Sequence, residues 1–182
     1  DSPMISTACR EAESWTEKDI IYAVGVLNKK TESLSSLAFV YGEDYCASKE
    51  VYEKIKNTIK EGVESIPYIE FTETKELGHV NRVDPLGITY LRVRGMWGIE
   101  NPFKTFEKHY ERDDSKDFNF MCIINEEKYY SFENYLELEN LSCQNNNLSI
   151  KNIKINNPDN PSRLVPAKLI SFFVEGEKNE SN

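Results

Sequence analysis

Apolar and polar positions along the chain fall into short runs whose periods predict alternating helices and strands. Ile20, Ala23, Val24 and Leu27 recur at helical spacing behind Thr16, which can cap a helix while Asp19 reaches back in a capping-box arrangement, so the pattern predicts a helix over 16–30. The β-branched residues in that stretch keep a strand open as the alternative. Residues 37–41, Leu-Ala-Phe-Val-Tyr, form an apolar run closed by Gly42, as expected of a buried strand. Val51, Tyr52, Ile55 and Ile59 return to helical spacing, and Gly62 sits where that helix would stop. The alternation over 67–72 predicts a second strand, 75–84 a short helix closed off by Pro85, and 88–94 a third strand.

From 95 to 117 the pattern gives way to a polar and aromatic excursion, with a helix expected over 103–111. A fourth strand follows at 118–124, and then a helix over 131–141 with Phe132, Tyr135 and Leu136 inward. An Asn-rich stretch, 144–160, separates a last apolar run, 169–174. This organisation predicts one domain over 1–143 with an insertion at about 95–117, then an Asn-rich linker and a β-rich C-terminal extension over 144–182.

Composition narrows the classes. With 182 residues, 39% hydrophobic and 29% charged, the chain can bury a core without staples. A net charge of -9 and the lack of a basic stripe argue against a nucleic-acid partner, because phosphate binding relies on clustered Lys and Arg. No apolar run approaches the roughly 18 to 20 residues that cross a bilayer, so no membrane insertion is expected. A start at Asp1 without methionine, with sequons at Asn140, Asn147 and Asn179, fits a mature secreted glycoprotein. Cys9, Cys46, Cys122 and Cys143 are even in number and widely spaced, which suits two disulfides in an oxidising compartment better than a metal site. Their connectivity stays open.

Two stretches carry a family likeness. LAFVYGEDYCASK at 37–49 and PYIEFTETKELGHVNRVDPLGITYLRVRG at 67–95 resemble the strand, cysteine, helix and strand succession of thioredoxin-like domains of the protein disulfide isomerase family. The resemblance runs over 16–94 and, more loosely, 118–141. Lys49 stands where the family's second cysteine falls, and Pro85 is the nearest proline to the family's cis-proline position at 88–89, so the likeness is to redox-inactive or monothiol members. It implies an α/β fold, a thioredoxin-like mixed sheet flanked by helices with a β-rich C-terminal extension. It also implies a secreted or endoplasmic-reticulum location, no cofactor, and chaperone-like binding of a protein or peptide; on this reading a non-enzymatic role is favoured. A second reading makes Cys46 the nucleophile of a monothiol redox or thiol-retention factor. Its plain alternative is a structural disulfide.

The excursion holds Trp97, Phe103, Phe106 and Tyr110, a candidate protein-binding surface whose plain alternative is packing onto the core. His79 and His109 are the two histidines. RGMWG at 94–98 and FEKHYE at 106–111 echo the active-site blocks of secreted acid ribonucleases, but Arg94 stands where the first block carries histidine and the acid/base pair is lost. No calcium loop, nucleophile elbow, phosphate-binding glycine loop or HExxH motif is present. A third reading is a secreted ligand- or receptor-binding protein of unrelated β-rich fold.

Overall fold

Residues 21–28 form a strand. In the computed structural model, which describes residues 20–66, 78–80, 82–93 and 99–175, this stretch alternates between exposed positions and the more buried Tyr22, Val24 and Val26. Period two therefore prevails over the helical spacing of Ile20, Ala23, Val24 and Leu27, because β-branched side chains fit a pleated surface and a partner strand follows at once. The chain reverses at 29–32, where Asn28 Oδ1 accepts the Lys30 N–H at 2.9 Å and Glu32 takes a φ of 53°. The expected helix over 16–30 is thus corrected for its described part. The helix that a thioredoxin-like arrangement places before its first strand is a hairpin arm here.

In chain order the elements are β1 (Ile21–Asn28), β2 (Ser33–Tyr41), α1 (Lys49–Glu64), β3 (Gly78–Val80), β4 (Leu91–Val93), α2 (Pro102–Thr105), β5 (Phe118–Asn125), α3 (Glu126–Tyr130), α4 (Tyr135–Gln144), β6 (Leu148–Asn157) and β7 (Asn160–Val174). They fall into two units, one holding described residues 20–46 and 100–175, the other 47–66, 78–80, 82–93 and 99.

The first unit is built on a five-stranded sheet of order β1-β2-β5-β7-β6. Only β2 and β5 run parallel; the other neighbours are antiparallel. One face buries Ala38, Val40, Met121, Ile123, Ile155, Ala167 and Leu169 together with Phe106. The other packs Tyr41, Ile124 and Ile170 against Tyr129 of α3, with Tyr135 and Leu138 of α4 at the margin. Both faces are covered, which is why β5 reads as a nearly continuous apolar run. Strand β7 lies inside this sheet and β6 forms its edge, so residues 148–174 are part of the sheet and not an extension beyond a boundary at 143.

The second unit contains α1, whose apolar positions follow the expected helical spacing and which continues past Gly62 to Glu64. Its two-stranded ladder pairs β3 with β4, so the helix expected over 75–84 is a strand at 78–80 and a turn from 82 onward. Asp84 organises that turn by accepting the N–H groups of Leu86, Ile88 and Thr89, and Gly87 supplies the positive φ of 69°. The strand expected over 67–72 lies outside the described residues.

Candidate functional site

The parallel pair β2 and β5 delivers its two C-terminal ends side by side, the place in a mixed sheet where a crevice forms. Beyond β2 the chain tightens into a 3₁₀ turn, Gly42–Asp44, and beyond β5 it enters α3 through Asn125. Asp44 joins the two ends. Its Oδ2 accepts the Asn125 backbone N–H at 2.6 Å and its Oδ1 accepts Asn125 Nδ2 at 3.2 Å, while Asn125 Oδ1 caps α3 by accepting the Lys128 N–H at 2.8 Å. Asp44 is 5% exposed, and burial pushes its carboxyl up to about 6 against the lowering pull of the Asn125 donors, with the Glu43 charge adding to the rise. A cleft of about 380 Å³ opens here, floored by Glu43, Asp44, Glu126 and Glu127 and walled by Asn157, Arg163 and Val165.

That wall is a two-stranded ribbon. Strand β5 pairs with β7 only from Ala167 onward, whereas β6 pairs with β7 as far as Asn160, so residues 160–166 and their β6 partners overhang the rest of the sheet. The β6 arm of the overhang, Lys154–Asn157, spans roughly 14 Å at about 3.4 Å per residue, and the β7 arm is irregular between Asn160 and Leu164. The root of the overhang is held in the core by Ile155, Ala167 and Leu169, with Ile153 and Val165 packed alongside. On the opposite face Lys168, 5% exposed, lies 4.9 Å from the ring centroid of Tyr130 and 5.2 Å from that of Tyr129. The tip is fixed by side-chain turns: Asn157 Oδ1 accepts the N–H groups of Asp159 and Asn160, and Asn160 Oδ1 accepts that of Ser162. Pro161 and Pro166 sit in the overhang, where the outer edge of β7 needs no ladder donors.

A larger cleft, about 750 Å³, lies at the other end of the sheet among Asn28, Thr31, Ser33, Ser35, Arg112, Lys116 and Asn119. Its cations are already matched: Arg112 Nε is 2.8 Å from Asp114 Oδ1, and Lys116 Nζ is 2.6 Å from Glu175 Oε1. Ligand charge would have to displace these partners. The ribbon has no such constraint, since among the described residues no ion pair or side-chain hydrogen bond engages Lys154, Asn156 or Arg163.

The residues singled out from sequence are dispersed. Phe106 is buried in the core, and Phe103 and Tyr110 pack against it, their ring centroids 6.1 Å apart; the expected binding face is core packing, and Trp97 lies outside the described residues. Cys46 is 7% exposed, which leaves a nucleophilic thiol little open face. The disulfide expectation is corrected as well. Cys46, Cys122 and Cys143 form no bridge with one another, being placed after the 3₁₀ turn, within β5 and on α4, and Cys9 lies outside the described residues. Burial pushes the Cys122 thiol up to about 12, with the Asp44 charge contributing. Asn140 is in α4 and not in a loop, Asn147 is half-buried ahead of β6, and Asn179 lies outside the described residues. His109 lies in the turn after α2, and His79 is in β3. Among the described residues no three His, Cys, Asp or Glu side chains converge so as to hold a metal ion.

Sequence reasoning missed the ribbon, although a signal was present. Residues 148–166 carry three cations, Lys151, Lys154 and Arg163, against one acid, Asp159, in a chain of net charge -9.

Comparison with known proteins changes the picture of function. The model of the NgoPII restriction endonuclease family matches residues 1–156. The type II restriction enzyme NgoPII of Neisseria gonorrhoeae is 59% identical over 174 residues, which is 96% of this chain and 62% of the relative, so the chain spans less than two thirds of that enzyme's length. No solved structure matches the chain. These matches overturn the thioredoxin and disulfide isomerase resemblance, which rested on element order around a single cysteine and lacked both the second cysteine and the cis-proline. The non-enzymatic, chaperone-like reading and the exclusion of nucleic acid fall with it, because the family's activity is cleavage of DNA. The secreted or endoplasmic-reticulum location and the glycoprotein reading fall too, since they rested on the same resemblance and the matching relative is a bacterial restriction enzyme. The chain belongs to the NgoPII restriction endonuclease family.

Proposed function

We propose that this chain is part of a type II restriction endonuclease that hydrolyses phosphodiester bonds of double-stranded DNA. The observation that carries the reading is the 59% identity to a restriction enzyme across 96% of the chain. In such a hydrolysis the oxygen of water bonds to phosphorus, the bond to the leaving oxygen breaks, and a proton from the water ends on the departing alkoxide or on solvent. The described residues contribute position. The sheet sets the acidic cleft at the ends of β2 and β5 beside a polar ribbon long enough to meet a duplex. Nucleases commonly route this reaction through bound metal ions. The described carboxylates do not converge in a metal-holding trio, so no step through a metal is assigned to them.

The test is direct. The full-length protein, incubated with plasmid DNA in a magnesium-containing buffer, is expected to yield discrete fragments whose sequenced ends share one short motif. Intact plasmid over a range of protein concentrations, together with no retention of duplex DNA in a gel-shift assay, would refute the reading.

A further inference from the structure

We infer that the β6–β7 ribbon enters the major groove of the DNA and reads base edges there, an inference that rests on the proposed endonuclease function. Shape is the first argument. A major groove about 12 Å wide and 8.5 Å deep admits a two-stranded ribbon, and strands 4.7–4.9 Å apart with their side chains fill about that width. The overhang has no β5 partner from Asn160 to Pro166; its β7 edge borders the acidic cleft, and its far face and tip carry the exposed side chains that a duplex would meet.

Chemistry is the second argument. Directly paired residues of antiparallel strands share a face, so Ile155 and Val165 point to the core side while Asn156 and Leu164 point to the opposite side, as does Lys154. The cleft on the core side is floored by Glu43, Glu126 and Glu127, which repel phosphate. The far face offers Lys154 and Asn156 and the tip Asn160 and Ser162, while Arg163, at the rim of the cleft beside the tip, is exposed like the others. Arginine is the commonest bidentate partner of guanine, and asparagine pairs its amide with adenine. A lysine on such a ribbon meets phosphate and sets register without reading sequence.

Rigidity is the third. The carbonyl oxygens of Asn157 and Asn160 are committed to backbone N–H groups of the tip. The tip is thereby shaped before DNA arrives, which lowers the ordering cost of binding. Its reading groups, Asn156 and Arg163, are engaged by no side-chain partner among the described residues.

The experiment uses the full-length enzyme and a duplex carrying the motif found at wild-type fragment ends, beside a duplex of the same length lacking it. Arg163→Ala and Asn156→Ala should each weaken binding to the motif duplex by about five- to 150-fold while leaving the motif-free duplex within twofold. Lys154→Gln should weaken both duplexes alike and lower the slope of log affinity against log salt by about one. Circular dichroism melts matching the wild type show that these surface variants are folded. Arg163→Ala and Asn156→Ala enzymes that bind and cut like the wild type overturn the ribbon assignment and leave the endonuclease reading intact. Equal weakening on both duplexes by Arg163→Ala and Asn156→Ala overturns base reading in favour of backbone contact. A wild-type enzyme that binds neither duplex overturns both the inference and the function beneath it.

Discussion

Replacing Asp44 by Asn isolates a carboxyl whose ionisation opposes the fold. The group is 5% exposed and its carboxyl is raised from 3.8 to about 6, chiefly by burial. A raised folded-state value means that the folded protein holds the proton more tightly than the unfolded chain. The resulting stability is fully present below the unfolded value and is lost as pH rises through the folded one. With 1.36 kcal/mol per unit, the full loss is about 3 kcal/mol, and integration of the two titrations places about 2 kcal/mol of it between about pH 4.5 and pH 7.5. Asparagine cannot ionise, and it brings one carbonyl oxygen, where the ionised carboxylate brings two, to a site where the Asn125 N–H and Nδ2 both donate, which shifts its stability by an offset of its own. The two effects separate by pH. Urea unfolding of wild type and Asp44→Asn is expected to show the variant gaining about 2 kcal/mol relative to wild type on going from about pH 4.5 to about pH 7.5, whatever its offset. A difference between the two proteins that stays constant over that range would refute the reasoning, since Asp44 would then titrate as it does in the unfolded chain.

Two further outcomes test the fold. Leu169, 1% exposed at the centre of the sheet where β7 meets both β5 and β6, is expected to cost about 2–5 kcal/mol on replacement by Ala, read as a fall in urea midpoint with unchanged slope; a loss under about 1 kcal/mol would mean the position is not packed as described. Addition of dithiothreitol is expected to leave the unfolding midpoint unchanged, and native labelling with a maleimide to mark the exposed Cys143 well before Cys122 or Cys46; a lower midpoint on reduction would reveal a bridge.

Where burial pattern alone decides structure, the sequence was readable. Residues 37–41, 118–124 and 169–174 are strands with buried alternate positions, and the repeat at Val51, Ile55 and Ile59 is a helix by its spacing, although Val51 and Ile55 are exposed. Residues 20–27 satisfied both periods, since apolar residues occupy nearly every position, and tertiary pairing with β2 decided between them. Nothing local shows that β6 and β7 belong to the sheet, as their Asn-rich and Pro-containing stretch has the composition of a linker; pairing that joins β5 to β7 across more than forty residues makes them part of it. The helix expected over 103–111 is only Pro102–Thr105, yet Phe106 is in the core with Phe103 and Tyr110 packed against it, brought there by the turn after α2. The cysteine reading misled most. Cys46 drew a family comparison through its strand-to-helix setting, which recurs on many folds and carries no chemistry by itself.

Excluding DNA on a net charge of -9 failed for a physical reason. At physiological ionic strength fields are screened over about 8 Å, so a duplex responds to the charges within about that distance and not to the sum over 182 residues. The informative quantity is the charge of each segment that stands apart from the rest. The overhang, with Lys154 and Arg163 against Asp159 in its turn, forms such a segment, and the pleat turns Lys154 and Asn156 away from the carboxylates at the cleft floor. An acidic body with a cationic ribbon also favours one docking orientation over others, because any approach that presents the body to phosphate is repelled. If the proposed function holds, weak attraction everywhere except at a reading element would limit non-specific retention on a long polyanion and leave discrimination to the bases.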